Sequence, residues 1–396
     1  MWLAETVLAV ATTLGVLQGI PVGDEQTAVP PDANLLMANA KDDLRDLAQV
    51  VLKSQSGNGP AIAASVRNTM VAALQAGGIE VGAESTTEQY GNVVAIDVAA
   101  PEGHRDLLAV VVTLSIPCGA DAALFLFRRD DGDWRLVYER EENDYESITG
   151  ALGSFDWKVS PPDGQGRFLV VTSSITPWCV SAWHQLRYQV DRVEPGSRIA
   201  VPIDHGEFTS YGWDVELAAT ADSWSIHFDG SSFDPAILVR PYRLHYVLDG
   251  DQPVRVDPIA GSPRDFVEEW LGMDDETAAR WSAIDPEELA EWRDDISSVR
   301  ERGDGLNEFG PTGRCSERGA DVSSARQLRS ADTSGRDGRS PQTWQVRIDH
   351  YVDDKFEEYV PWYFTVSESN GSYRLSEIAY EPRGDCPASD TIAGSE

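Results

Sequence analysis

Hydrophobic residues recur every three or four positions between residues 32 and 76, which is the spacing of helices that bury one face. The first run contains Leu36, Ala40, Leu44, Leu47 and Val51, and the second contains Ile62, Val66, Met70 and Ala73. The second run stops at Gly77-Gly78, and glycine commonly follows the last turn of a helix. The pattern therefore predicts a pair of amphipathic helices near the N-terminus.

Beyond residue 90 the spacing changes to that of β-strands. The segment 92–98 alternates between apolar and polar residues, and 107–116 is almost wholly apolar, as in a strand buried on both faces. Asp131-Gly132 and Asn370-Gly371 separate alternating aromatic runs, and such pairs favour tight hairpins. Residues 122–259 are therefore predicted to be mainly antiparallel β-structure.

The stretch TPWCVSAWHQLRY, residues 176–188, raises the question of an active site because it combines a cysteine with a histidine. As a single strand, it would place Ala182, His184 and Leu186 on an apolar face. Cys179 would then share the opposite, polar face with Trp183, Gln185 and Arg187. A cysteine and a histidine on opposite faces are poorly placed as a nucleophile–base pair. We therefore interpret His184 as a hydrogen-bonded core histidine.

Helical signals return at Ser262-Pro263, a helix cap followed by proline in the first turn. Three tryptophans follow at eleven-residue steps, and a structural role explains them better than a ligand cage does. Residues 301–341 are poor in large apolar groups and are predicted to be a linker or irregular loop. Residues 342–390 contain three strand-like runs, which predict a small C-terminal β unit.

These elements predict an α+β protein. An N-terminal helical pair packs on a β-rich, mostly antiparallel central domain, and short helices and a small C-terminal β unit follow. The predicted boundaries are 1–20 for a leader segment, 32–260 for the central domain, 262–300 for the Trp-bearing helices, 301–341 for the linker and 342–390 for the C-terminal unit.

The charge balance excludes one class of partner. The chain has 66 acidic and 32 basic residues in 396, and its formal net charge is −34. Such a surface repels phosphate backbones, because nucleic-acid binding depends on lysine and arginine displacing condensed counterions. We therefore expect no nucleic-acid partner, while a protein or carbohydrate partner stays open.

The N-terminus and the cysteines bear on the compartment. The apolar run from Thr6 to Leu17 is too short to span a membrane but suits the core of a secretory signal, although no basic residue precedes it. An ordinary N-terminal helix is the alternative.

The four widely spaced cysteines are Cys118, Cys179, Cys315 and Cys386. In an exported chain they predict two disulfides, for which we favour Cys118–Cys179 and Cys315–Cys386 over four free thiols. The location predicted from these features is extracytoplasmic, either periplasmic or secreted.

Catalytic signatures are absent from the sequence: there is no G-x-S-x-G elbow, H-E-x-x-H helix or P-loop. The weak candidates for acid–base chemistry are His205, His227 and Asp229, and separate surface or core histidines are the simpler interpretation. We expect neither a cofactor nor a metal site.

The leading hypothesis is an exported, non-catalytic binding or structural protein of the cell envelope or extracellular space. The alternative is a hydrolase, with glycans as the candidate substrate, that uses carboxylates and a histidine of the central domain.

Overall fold

The structure, a computed structural model, describes residues 2–18, 31–82, 90–116, 119–141, 154–176, 181–197, 199–232, 238–301, 310–314, 341–352 and 355–380. The chain divides into two units, one of residues 1–226 with 246–254 and the other of residues 227–245 with 255–396. The division falls within the segment 32–260, which the sequence analysis treated as a single domain. The predicted fold class, a β-rich α+β protein with N-terminal helices, is confirmed.

Three helices open the first unit: α1 Trp2–Gln18, α2 Pro31–Lys53 and α3 Gly59–Ala76. The pair α2 and α3 is the predicted one. Helix α3 begins after Asn58, whose side chain caps it, and stops where Gly78 takes a left-handed φ of +83° that favours glycine. Helix α1 buries Val10, Leu14 and Leu17 in the same core as α2. Among the described residues, no helix is both long and apolar enough to cross a membrane.

A four-stranded antiparallel sheet packs on these helices. Its strands, in spatial order, are β1 Val93–Ala99, β2 Leu107–Ile116, β3 Gly119–Asp130 and β4 Asp133–Glu141. In β2, Val110 and Val112 belong to the helical core, while Ala109 and Val111 belong to a second core on the other face. The prediction of a strand buried on both faces is confirmed. The Asp131-Gly132 hairpin is confirmed as well, with φ values of 53° and 93°.

The second sheet has seven strands in the order β11-β10-β9-β8-β7-β6-β5. They are β5 Ser154–Val159, β6 Phe168–Thr176, β7 Trp183–Val193, β8 Val201–Ala219, β9 Ser223–Ser231, β10 Val239–Asp249 and β11 Gln252–Arg255. The prediction of one strand through residues 176–188 is wrong. Strand β6 ends at Thr176, which pairs with Gln185 of β7, so the chain must reverse between them. Pro177 has no N–H for the ladder, which fits the end of β6 there.

The second unit packs three short helices on a four-stranded antiparallel sheet. The helices are α4 Pro263–Gly272, α5 Asp275–Arg280 and α6 Pro286–Glu301, and the strands in order are β12 Gly310–Arg314, β13 Gln342–Val352, β14 Lys355–Ser369 and β15 Ser372–Ala379. Trp270 and Trp281 are buried in one core with Phe364 and Leu375. These two tryptophans therefore have the structural role that the sequence analysis assigned to them.

Several predictions fall wholly or partly outside the described residues. All four cysteines, Cys118, Cys179, Cys315 and Cys386, lie there, so both disulfides stay predictions. Most of the predicted linker lies there too, although its residues 310–314 form β12 and pair with β13.

A buried ionic network joins α4 to Arg240 of β10 and Arg255 of β11. Glu268 Oε2 lies 2.9 Å from Arg240 Nε, and Glu268 Oε1 lies 2.7 Å from Arg264 Nη2. Glu269 contacts Arg240 at 2.8 Å and Arg255 at 2.6 Å. Burial alone would raise the pKa of Glu269, but Arg255 and Arg240 outweigh it and lower that pKa. The buried ion pairs of this network therefore hold α4 against the sheet strands.

Candidate functional site

The solvent-facing side of the β7–β8 hairpin carries a row of paired polar and aromatic side chains, which we call the β7–β8 face. The directly opposed pairs are Trp183–Tyr211, Gln185–Thr209, Arg187–Glu207 and Gln189–His205. Alternate residues of a strand point to the same side, so these eight side chains share one face. At about 3.4 Å per residue, the six steps from Trp183 to Gln189 extend about 20 Å.

Exposed aromatic rings mark one end of this hairpin. Tyr211 is 46% exposed and meets Trp183 edge to face, with ring centroids 5.2 Å apart. Trp213 is 44% exposed and stacks on His184 at 3.8 Å. Because Trp183 and His184 are neighbours in β7, the two pairs lie on opposite sides of the sheet. Gly212, with a φ of +75°, separates Tyr211 from Trp213 and breaks the strand's alternation between them.

The carboxylate of Glu207 is held in position at the centre of the face. Arg187 Nε lies 2.9 Å from its Oε1, and Gln185 Nε2 donates a 3.2 Å hydrogen bond to its Oε2. The carboxylate is nevertheless 60% exposed, so it can accept further hydrogen bonds from a ligand. Three planar polar groups are thus arranged together beside the aromatic pair.

The three histidine and aspartate candidates from the sequence lie in different units. His205 is exposed on the β7–β8 face of the first unit. His227 and Asp229 belong to β9 in the second unit, where Asp229 is exposed. His227 Nε2 lies 2.5 Å from His245 Nε2, a partner that the sequence did not single out.

His184 is a core residue, as predicted. The residue is 2% exposed, and burial lowers the pKa of its imidazole. Its Nδ1 has no hydrogen-bond partner among the described residues, so the expected hydrogen bond is not made at that nitrogen. Trp213 stacks on the face of the ring and covers it with an apolar surface.

An acidic group on α2 and β4 is already paired with basic side chains of the protein. Carboxylate oxygens of Asp42, Glu139 and Glu141 lie within 4.8 Å of one another. Arg45 bonds both Asp42 and Glu139, and Lys41 Nζ lies 3.7 Å from Glu141. These two side chains place positive charge beside the carboxylates, and that charge opposes the binding of a cation.

A groove of about 560 Å³ lies beside this acidic group, between α2 and β4. Its walls mix charges of both signs, including Lys53, Asp133, Arg135 and Glu139. Small-molecule pockets are instead lined mainly by apolar side chains with a few orienting polar groups. Glu139, the half-buried acid of the groove, already pairs with Arg45 at 3.2 Å. The mixed, largely exposed charges of the walls do not resemble the lining of a small-molecule pocket.

The β7–β8 face offers an exposed ring for stacking, a fixed carboxylate and several amide and imidazole groups along one line. The sequence alternation of Trp183, Gln185 and Arg187 identifies half of this face. Tyr211 and Glu207 were missed, because the register of β8 against β7 cannot be read from local pattern. No protein-family model matches the chain, and comparisons with curated proteins and with solved structures find no similar protein.

Proposed function

We propose that this protein is a non-catalytic binding protein whose β7–β8 face binds a neutral carbohydrate. The observation that carries the proposal is the exposed Tyr211 ring, packed on the half-buried Trp183, in line with the fixed Glu207 carboxylate. An exposed aromatic ring presents an apolar surface on which a sugar ring can stack. The carboxylate, amide and guanidinium groups beside it accept and donate the hydrogen bonds that sugar hydroxyls make.

The charge of the chain selects among carbohydrates. A formal net charge of −34 repels sulfated or carboxylated polysaccharides at a distance. On the face itself, Arg187 is paired with Glu207, so it does not offer an isolated positive charge to an anionic ligand. We therefore favour an uncharged oligosaccharide, lying along the roughly 20 Å of strand that the face occupies.

The carboxylate count favours binding over hydrolysis. Glycosidases act with a pair of carboxyl groups that flank the scissile bond. Among the eight described side chains of the β7–β8 face, Glu207 is the one carboxylate. The glycan-directed hydrolase stays an alternative prediction, and measurable hydrolysis of a bound glycan that depends on His205 would support it.

We also propose that the protein is exported to the cell envelope or beyond. The even number of widely spaced cysteines and the acidic composition support this location. Fractionation of the native source should place the protein outside the cytoplasm, and recovery in the cytosol alone would contradict export. Mass spectrometry of its N-terminus decides whether α1 is removed as a leader or kept as part of the core.

A glycan array tests the proposed ligand directly. The full chain is expected to bind a subset of neutral glycans and none of the sulfated or uronic ones. Glu207→Gln should weaken that binding, because a neutral amide accepts weaker hydrogen bonds than a carboxylate does. Glu276→Gln, at an exposed carboxylate of α5, is the matched control. Binding restricted to acidic glycans, or binding that Glu207→Gln leaves unchanged, would overturn the proposal.

A further inference from the structure

Two histidines of the second unit face each other across neighbouring strands. His227 lies on β9 and His245 on β10, and both side chains are half-buried. Their Nε2 atoms are 2.5 Å apart, and their rings are stacked with centroids 4.8 Å apart and planes inclined by 22°. We propose that His227 and His245 form a binding site for a divalent transition-metal ion, with Cu²⁺ and Zn²⁺ as the ions of the right chemistry.

The chemistry of the imidazole ring supports an ion at this position. A neutral ring carries one N–H and one lone pair, so two facing Nε2 atoms can share at most one proton. A metal ion can instead accept the Nε2 lone pairs of both rings. With Zn–N bonds of about 2.0–2.1 Å in a tetrahedral site, the two nitrogens stand roughly 3.3 Å apart. The rings of His227 and His245 need to separate by less than about 1 Å to reach that distance.

One of the two rings is oriented by a second contact. The backbone of Asp257 hydrogen-bonds the imidazole of His245. Histidines that bind metals usually make such a bond through the ring nitrogen that is not a ligand, which fixes the tautomer and the ring plane. Nε2 of His245 faces His227 at 2.5 Å.

The surroundings determine the expected strength of binding. Among the described residues, no third histidine, cysteine or carboxylate has a ligand atom within 4.8 Å of both rings' ligand nitrogens. Water would therefore complete the coordination shell, as it does at open metal sites. Arg243 and Arg255 act electrostatically on His245 and oppose the binding of a cation. Asp229, two residues after His227 on the same side of β9, has the opposite charge and favours it. We therefore expect moderate affinity from two ligands.

The ligand set also determines which ions bind. Imidazole nitrogen suits copper, nickel and zinc, whereas magnesium and calcium prefer oxygen ligands. Affinities of such sites rise along the first row to copper and fall at zinc. The site should therefore bind Cu²⁺ more tightly than Zn²⁺. Ca²⁺ should show no binding at this site beyond the weak binding that surface carboxylates provide.

Titration calorimetry of the metal-free full chain tests the proposal with CuCl₂, ZnCl₂ and CaCl₂. One equivalent of Cu²⁺ is expected to bind, and His227→Ala and His245→Ala should each weaken this step at least tenfold. His205→Ala, at an exposed histidine of the first unit, is the matched control and should leave it unchanged. Equal Cu²⁺ affinity in all three variants, or no Cu²⁺ binding step in the unaltered chain, would overturn the site.

A spectroscopic measurement on the unaltered chain guards against variants that fail to fold and against binding to surface carboxylates. Electron paramagnetic resonance of the chain loaded with one equivalent of Cu²⁺ should show hyperfine coupling to two imidazole nitrogens. A spectrum with oxygen ligands alone would mean that the ion sits among the acidic side chains, and it would refute the proposal.

Discussion

The buried ion pair between Lys41 of α2 and Asp121 of β3 offers a quantitative test of how the first unit is held together. Lys41 Nζ lies 3.0 Å from Asp121 Oδ2, and both side chains are 0% exposed. Lys41→Met keeps the length of the side chain but removes its charge. Asp121 then stays buried without its cation, and breaking a buried pair in this way costs about 3–5 kcal/mol.

A surface pair sets the scale for comparison. Lys158 and Glu102 are 4.0 Å apart, with side chains 41% and 89% exposed. Lys158→Met should therefore cost less than about 1 kcal/mol, because water already screens this pair. With a urea dependence of about 3 kcal/mol per molar, Lys41→Met lowers the unfolding midpoint by roughly 1–1.7 M, several times the shift of the control.

Urea unfolding measures this difference, and amide exchange of β3 peptides reports the first unit separately, since a chain of two units need not unfold in one step. Adding Asp121→Leu to Lys41→Met should recover part of the loss, because the uncompensated charge of Asp121 is then gone, while Glu141, the second partner of Lys41 at 3.7 Å, keeps 17% of its side chain exposed to water. Equal midpoints for Lys41→Met and Lys158→Met would refute the reasoning. A double variant no more stable than Lys41→Met would contradict the explanation by the buried Asp121 charge.

Three further predictions concern histidine titration and burial. Burial lowers the pKa of His184 below its ordinary 6.5, so the unfolded chain binds the proton first and stability falls as pH drops through 6.5 towards the lowered pKa. His184→Phe should make the urea midpoint less dependent on pH over that range, and an unchanged dependence would contradict this prediction. Leu14→Ala should cost about 2–5 kcal/mol in urea unfolding because Leu14 is 1% exposed, whereas Leu8→Ala, at 67% exposure, should change little. Glu268→Gln removes one carboxylate from the network, while Arg240 keeps Glu269 and Arg264 keeps Asp265, and it should lower stability by about 3 kcal/mol in calorimetry, against a negligible change for Glu276→Gln; similar values for the two would contradict the network's role.

Local patterning identified the elements whose shape depends on nearby residues. Helices α2 and α3 follow from apolar spacing, because burying one face of a helix imposes that period. The hairpins at Asp131-Gly132 and Asn370-Gly371 follow from the left-handed φ angles of those residues, between 52° and 93°. In each of these elements, the determining residues are close together in the sequence.

The candidate sites could not be found in this way, because their partners lie far apart in the chain. Tyr211 contacts Trp183 across 28 positions, and a shift of one residue in the register of β8 would send it to the other face. The sequence singled out His227 for its chemistry but gave no reason to pair it with His245. The strand boundary after Thr176 was missed because the alternation of the predicted strand continued through the reversal.

The central claim is that the exposed aromatic pair of the β7–β8 face binds carbohydrate, and calorimetry on two matched variants tests it most directly. Tyr211 and Trp213 have nearly equal exposure, 46% and 44%, but lie on opposite sides of the sheet. With an oligosaccharide selected on the array, Tyr211→Ala should weaken binding roughly three- to tenfold, because a stacking ring is lost. Trp213→Ala should leave the affinity unchanged. If Trp213→Ala weakens binding and Tyr211→Ala does not, the claim is wrong.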